Sequence, residues 1–423
     1  MTIAEPTTKS PSPEARLEGR IARVGEALAQ RVSRLVAAVP GNPQGPVSLA
    51  RAIGVDKVLA SRVLRAAANR DPVAVLQMMP GPEPLRRLAS AAGKKGVSTE
   101  LVSDLHDAVN KFDELIRNEA GDRSALDAIL SAWLPEARAE FELRRKQAAF
   151  RAMSQLKGQA ADTFVSTVFL HPSSDGEHLD VVWIIGLLGL QKLRPGSVVK
   201  FATRRVSRDG EDAPRRPSTL DGVSVDGFDG LRLDQFCSDP PAELHVSRAG
   251  DVVHYTWAER GFGPRSATDL VFAEVNFAEL PRYVPAEKKR KRHVFAEITT
   301  PSKLLVFDAL VHEDVFAGPD PSLHIYDTAF EGVADVNDPG RDIDRLDLVE
   351  SVQPLGQGIS KFRIGEVPWY SELLRHVCAK LNWDGERMRA WRTRIDYPIY
   401  GSQAALAFDT IPPPAPPLPP AAG

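Results

Sequence analysis

Cysteine is nearly absent from this chain: two in 423 residues, Cys237 and Cys378, with no second cysteine near either. That excludes a disulfide scaffold and a cysteine-rich zinc site, and it fits a reducing compartment. Long hydrophobic runs are missing as well. The most apolar stretch, VVWIIGLLGL at 181–190, is about half of the roughly 20 residues a bilayer-spanning helix needs, so it reads as a buried strand and no membrane is expected. The opening MTIAEPTTKSPSPEARLEGR holds no apolar core, so the expectation is no secretory signal and a soluble, cytoplasmic protein. Neither sign of charge dominates, with 53 Lys and Arg against 56 Asp and Glu. Enzyme signatures are missing too. GFGPRS at 261–266 lacks the third glycine of a dinucleotide loop, and no P-loop or nucleophile elbow occurs. The nine histidines show no ligand spacing. No catalytic group, metal site or cofactor is expected.

What is present divides the chain. Its length suggests two or three domains. Residues 1–150 carry 22 Lys and Arg against 18 Asp and Glu, leaving 31 against 38 for the remainder. A basic front and an acidic back suit a nucleic-acid-facing module joined to something else. Residues 1–13 are rich in Pro, Thr and Ser and are expected to be disordered. From Glu14 to Lys157 the text has helical spacing. Leu17, Ile21, Val24 and Leu28 form a stripe that Val32, Leu35 and Val36 continue, until Pro40, Gly41, Pro43, Gly45 and Pro46 stop it. Asp71-Pro72 restarts a helix, Ser98 is placed to cap another and Gly121 to end it, and Pro135 divides or kinks the last. Residues 14–157 are therefore predicted to be all-α.

From 160 to 410 the texture changes to β-branched and aromatic runs separated by Gly, Pro and Asp turns. In DTFVSTVFL, Phe164, Ser166, Val168 and Leu170 oppose Val165, Thr167 and Phe169. Both faces are largely apolar, so this strand is predicted to be buried on two sides. The block reads as a sandwich or barrel-like domain of eight or nine strands. A polar insertion at 206–240 is expected as a mobile loop or set of tight turns. Near the end, WYSELLRHVCAKLNW and DGERMRAWRTR read as a terminal helix pair. Residues 411–423 form a Pro-rich tail with no core to join. The expected fold class is thus α+β and multidomain, all-α in front and β-rich behind.

The stretch with the sharpest pattern is VSLARAIGVDKVLASRVLRA, 47–66. Two short apolar-periodic segments flank one glycine. Counting Pro46 as the first of twenty positions, Ala50 falls at five and Gly54 at nine. Leu49, Ile53, Val55, Ala60 and Val63 supply the apolar positions. Gly54 is where a left-handed backbone is needed, which only glycine enters without strain. This stretch resembles the helix-turn-helix of bacterial transcription regulators at every position that packing demands. The outward residues of the second segment are Asp56, Lys57, Ser61, Arg62 and Arg65, with Val58 and Leu59 making that face partly apolar; no strand pair follows to form a wing. The resemblance implies that Lys57, Ser61 and Arg62 meet base edges and that Arg65 holds a phosphate. It also implies double-stranded DNA as partner and a homodimer, because one recognition helix covers few base pairs. The expected function is a transcription regulator whose β-rich part senses a ligand or mediates oligomerisation. The alternative is a non-enzymatic interaction or scaffold protein whose helical part binds no DNA.

Three other clusters have simpler readings. EKKRKRH, with Lys288, Lys289, Arg290, Lys291 and Arg292, reads as a solvated inter-strand linker. DVNDPGRDIDRLD starts like a calcium loop, but Pro339 and Leu346 stand where ligands are required, so it reads as a capped turn. His171 with His178, and His312 with Glu313 and Asp314, read as scattered histidines rather than ligands.

Overall fold

The computed structural model describes residues 13–205, 218–225, 227–249, 252–258, 261–288, 290–316 and 318–413. The architecture is α+β, with helices in front and sheets behind. Two compact units divide inside a helix, between Glu142 and Leu143.

The helical unit contains α1 (Pro13–Ala37), α2 (Pro46–Ile53), α3 (Lys57–Ala67), α4 (Pro72–Met78), α5 (Pro82–Lys94), α6 (Thr99–Leu115), α7 (Arg123–Trp133) and the start of α8 (Pro135–Lys157). The helix boundaries are chemical. Asp71 accepts from Val73 N at 2.9 Å to open α4, and Ser98 accepts from Leu101 N at 3.4 Å to open α6. A short π-helical turn, Ile116–Ala120, follows α6 and ends at Gly121. Pro135 separates α7 from α8 rather than kinking one helix. The core joins Ile21, Leu28, Val32 and Leu35 of α1 to Val63, Leu76, Leu88, Leu105 and Phe112. Gly25 lies on that same face, buried against the carbonyl of Pro72, so α1 and α4 cross with their backbones nearly touching.

The second unit is built on a six-stranded sheet. Its strands are β1 (Gln159–Pro172), β2 (His178–Lys192), β6 (Thr268–Pro281), β8 (Ser302–His312), β10 (Val352–Gln357) and β11 (Met388–Asp396). The order is β10-β11-β8-β1-β2-β6, and only β1 and β8 run parallel. A three-stranded sheet, β7 (Arg292–Glu297), β12 (Ser402–Phe408) and β9 (Ser322–Asp327), supplies Val294, Ala404, Leu406 and Ile325 to a core shared with Phe164, Val168, Leu305 and Phe307. The opposite face of the large sheet is covered by α9 (Tyr370–Leu381), whose Leu373, Leu374 and Val377 pack with Val165, Phe169 and Val306. β1 therefore sends alternate residues into two cores, as its two apolar faces predict. A second three-stranded sheet holds β3 (Val199–Arg205), β5 (Val252–Trp257) and β4 (Leu244–Ala249).

Several expectations change. Twelve strands appear among the described residues, not eight or nine. The terminal helix pair is a single helix. DGERMRAWRTR forms one 3-10 turn and then β11, paired between β8 and β10, because Met388 and Ala390 enter one core while Trp391 and Ile395 enter the other, the period of two that a strand requires. α8 crosses the division of the units, and its second half joins the sheets. There Lys146 pairs with Glu350, and the Gln147 amide donates to the Tyr397 hydroxyl at 3.2 Å. Of the 206–240 insertion, 206–217 and 226 lie outside the described residues. The rest is partly packed, with Leu231 and Phe236 buried. The segments 1–12 and 414–423 of the expected disordered ends also lie outside the described residues. Within the described part, Ile411 accepts from Val284 N at 3.0 Å.

Candidate nucleic-acid interface

The stretch 46–67 folds as two helices joined at Gly54. Pro46 sits in the first turn of α2, where its missing N–H costs nothing, and Ser48 exchanges hydrogen bonds with Gly45. Gly54 adopts φ 75° and ψ 35°, the left-handed conformation that its position requires. Asp56 then caps α3, its Oδ1 accepting from Val58 N at 2.7 Å and Leu59 N at 3.3 Å. Leu49 and Ile53 of α2 are buried with Ala60, Val63 and Ala66 of α3. The apolar set fixes the hand-over between the helices and leaves the opposite side of α3 outward.

Each residue singled out from sequence lies on that outward side. Lys57, Arg62 and Arg65 are exposed, and Ser61 is half-buried between them. Steps of three and four residues place them along one strip of the helix surface. At 1.5 Å per residue the strip from Lys57 to Arg65 is about 12 Å long, close to the width of a DNA major groove. Residues 45–70 carry five basic side chains, Arg51, Lys57, Arg62, Arg65 and Arg70, against one acid, Asp56. All five are exposed, and none makes an ion pair or hydrogen bond to another described residue. The one carboxylate is turned onto the α3 cap. Arg62 also stands near Arg123 of α7. Burial pulls the Arg123 pKa down, its partner Asp127 opposes that, and Arg62 adds to the depression. Sequence reasoning had passed over Arg51 and Arg70, whose signal was only charge beside the motif, and Arg123, which reaches the site by folding alone. Among the described residues of this unit no strand pair forms a wing.

The other clusters are partly taken up by pairing and packing among the described residues. Arg290 pairs with Asp335 at 3.0 Å and Lys291 with Asp409 at 3.4 Å, so part of the EKKRKRH linker is tied down; Lys289 lies outside the described residues. In the acidic turn, Arg341 is buried and donates to the carbonyls of Val333, Gly332 and Asp327 and to Asp344. No group of three metal-ligating side chains occurs among the described residues. His171 meets His312 rather than His178. Their ring centroids are 4.7 Å apart, and Trp383 stacks on His171 at 4.3 Å.

These packed histidines make acid a specific stress on the second unit. Burial, foremost, lowers the pKa of His171, His293, His312, His324 and His376. A group whose folded pKa is depressed binds fewer protons folded than unfolded, so its contribution is full above the unfolded value near pH 6.5 and is lost as pH falls through the folded pKa. Glu297, whose pKa desolvation raises, contributes with the opposite sign. Urea midpoints measured from about pH 7.5 down to pH 5.5 should therefore fall, and His171→Gln with His312→Gln should flatten the fall. A midpoint independent of pH across that window would contradict this.

No family model matches the chain, and no curated protein matches it. Among solved structures it is similar to the crystal structure of a "putative protease" from Parabacteroides distasonis ATCC 8503. The identity is 8%, the match covers 59% of this chain and 40% of that one, and the TM-score is 0.23. This chain thus matches less than half the length of that protein. No helix among the described residues is long and apolar enough to cross a membrane.

Proposed function

We propose that the protein is a DNA-binding transcription regulator in which α3 enters the major groove of double-stranded DNA. Lys57, Ser61 and Arg62 contact base edges and Arg65 a phosphate. The observation that carries the reading is the set of five exposed basic side chains in 45–70, unpaired among the described residues, with the lone acid committed to a helix cap. Uncompensated cations at this density favour a polyanionic partner. One recognition helix reads too few base pairs for useful specificity, so the chain acts as a homodimer. The β-rich unit serves sensing or oligomerisation. Its cavity beside β9, about 530 Å³ and lined among others by His324, Asp342, Arg345 and Leu348, is of a size small ligands fill.

The test is replacement of Lys57, Arg62 and Arg65 together by alanine. Up to three contacts are lost, so affinity for duplex DNA should fall by several kcal/mol at most, and the salt slope should shrink by up to about three units. Stability should not change, because these side chains touch no core. Gly54→Val should do the reverse, straining the turn at a cost of about 1–2 kcal/mol while leaving the basic strip in place. A triple variant that binds duplex with the wild-type salt slope would sink the assignment of these residues.

A further inference from the structure

Among the described residues of the helical unit, two large hydrophobic side chains are exposed: Val47 at 51% and Val58 at 65%. Every other described Leu, Ile, Val, Phe or Met of that unit is more than half covered. Both exceptions sit in the first turns of the two helices joined at Gly54. Val58 lies one residue from Lys57, and three and four residues from Ser61 and Arg62, so it stands within the basic strip rather than apart from it. Its backbone is held firmly, since its own N–H is the closer of the two that Asp56 caps, at 2.7 Å.

Among the described residues Val58 has no place in the helical unit's core, which its neighbours Leu59, Ala60 and Val63 join. In a major groove it has a specific one. Of the four bases only thymine presents an apolar group there, its 5-methyl, and a short branched side chain meets it without a hydrogen bond. Lysine and arginine beside it supply donors that suit guanine O6 and N7. Resting on the DNA-binding reading above, we infer that Val58 selects a thymine by contact with its 5-methyl group. The duplex this protein prefers then carries an A·T pair next to the base pairs that Lys57 and Arg62 read. Val47 sits in the first turn of α2, which is not placed on the base-reading strip, and carries no such role.

The experiment uses the full chain. A pool of random-sequence duplexes is enriched for binding, and in the best duplex each thymine is exchanged in turn for deoxyuridine, which removes the methyl and nothing else. At one position per half-site the exchange should weaken wild-type binding about three- to five-fold, the effect of one buried methyl. Val58→Ala should weaken binding to the thymine duplex by a similar factor and should be indifferent to the exchange at that same position. Alanine is a better helix former than valine, so the variant folds, and its unfolding midpoint verifies this. Enrichment of a duplex with no uridine position coupled to Val58 overturns the inference while leaving the DNA reading intact. Enrichment of no duplex at all overturns both.

Discussion

Gly25→Val is expected to lose about 3 kcal/mol or more and to unfold the helical unit ahead of the rest of the chain. A Cβ built on Gly25 would lie 2.1 Å from the carbonyl oxygen of Pro72 and 2.8 Å from its carbon. Both partners are backbone, so no rotamer change relieves the clash, and α1 must move away from α4. The same helix carries its own control. A Cβ on Gly19 meets only the end of the Arg23 side chain, at 3.6 Å. Gly19→Ala should therefore stabilise by about 0.5–1 kcal/mol through helix propensity. Urea unfolding followed by far-ultraviolet circular dichroism reads both. Equal midpoints for Gly25→Val and wild type would contradict the crossing.

The second large effect lies in the sheet. Thr167, Asp308 and Arg392 occupy adjoining register positions on β1, β8 and β11, beneath Tyr370 of α9. Asp308 is fully buried. It accepts from Arg392 through both carboxylate oxygens, at 2.8 and 2.7 Å, and from the Tyr370 hydroxyl at 2.6 Å. Since that hydroxyl spends its proton on Asp308, Thr167 donates to Tyr370 across 2.9 Å. Burial first, and the Asp308 charge second, raise the Tyr370 pKa well above its ordinary value, so the phenol stays neutral. Asp308→Ala strands a largely buried guanidinium and is expected to cost about 3–5 kcal/mol. Removing the whole set, with Asp308→Leu, Arg392→Leu and Tyr370→Phe, should recover much of that loss, because no unpaired charge remains. A loss below about 1 kcal/mol for Asp308→Ala would show that the network bears little of the unit's stability.

How far the sequence could be read depended on whether the signal was local. Helix starts at Asp71 and Ser98, the left-handed Gly54 and the two-faced strand at 164–170 follow from neighbours in the chain, and they were legible. The outward set Lys57, Ser61, Arg62 and Arg65 was legible for the same reason, since helical periodicity separates it from Leu49, Ile53, Ala60 and Val63. DGERMRAWRTR was misread because its charges suggest a solvated helix. In the fold Arg392 is consumed by Asp308 and Arg394 by Glu366, which leaves Trp391, Thr393 and Ile395, buried at steps of two, to define a strand. Those partners lie far away in sequence. Gly25 against Pro72, His171 against His312, and Arg123 near Arg62 are likewise meetings that tertiary packing alone produces.

The central claim is that the face of α3 binds DNA, and it is tested most directly by titrating a fluorescently labelled random-sequence duplex with the full chain at several salt concentrations. Measurable binding is expected at low salt, with log K falling linearly against log salt by about 0.9 for each phosphate neutralised. Absence of any salt-dependent affinity, even at about 25 mM salt, where the counterion contribution is large, would contradict it. The helical unit would then be an interaction or scaffold module with no role on DNA.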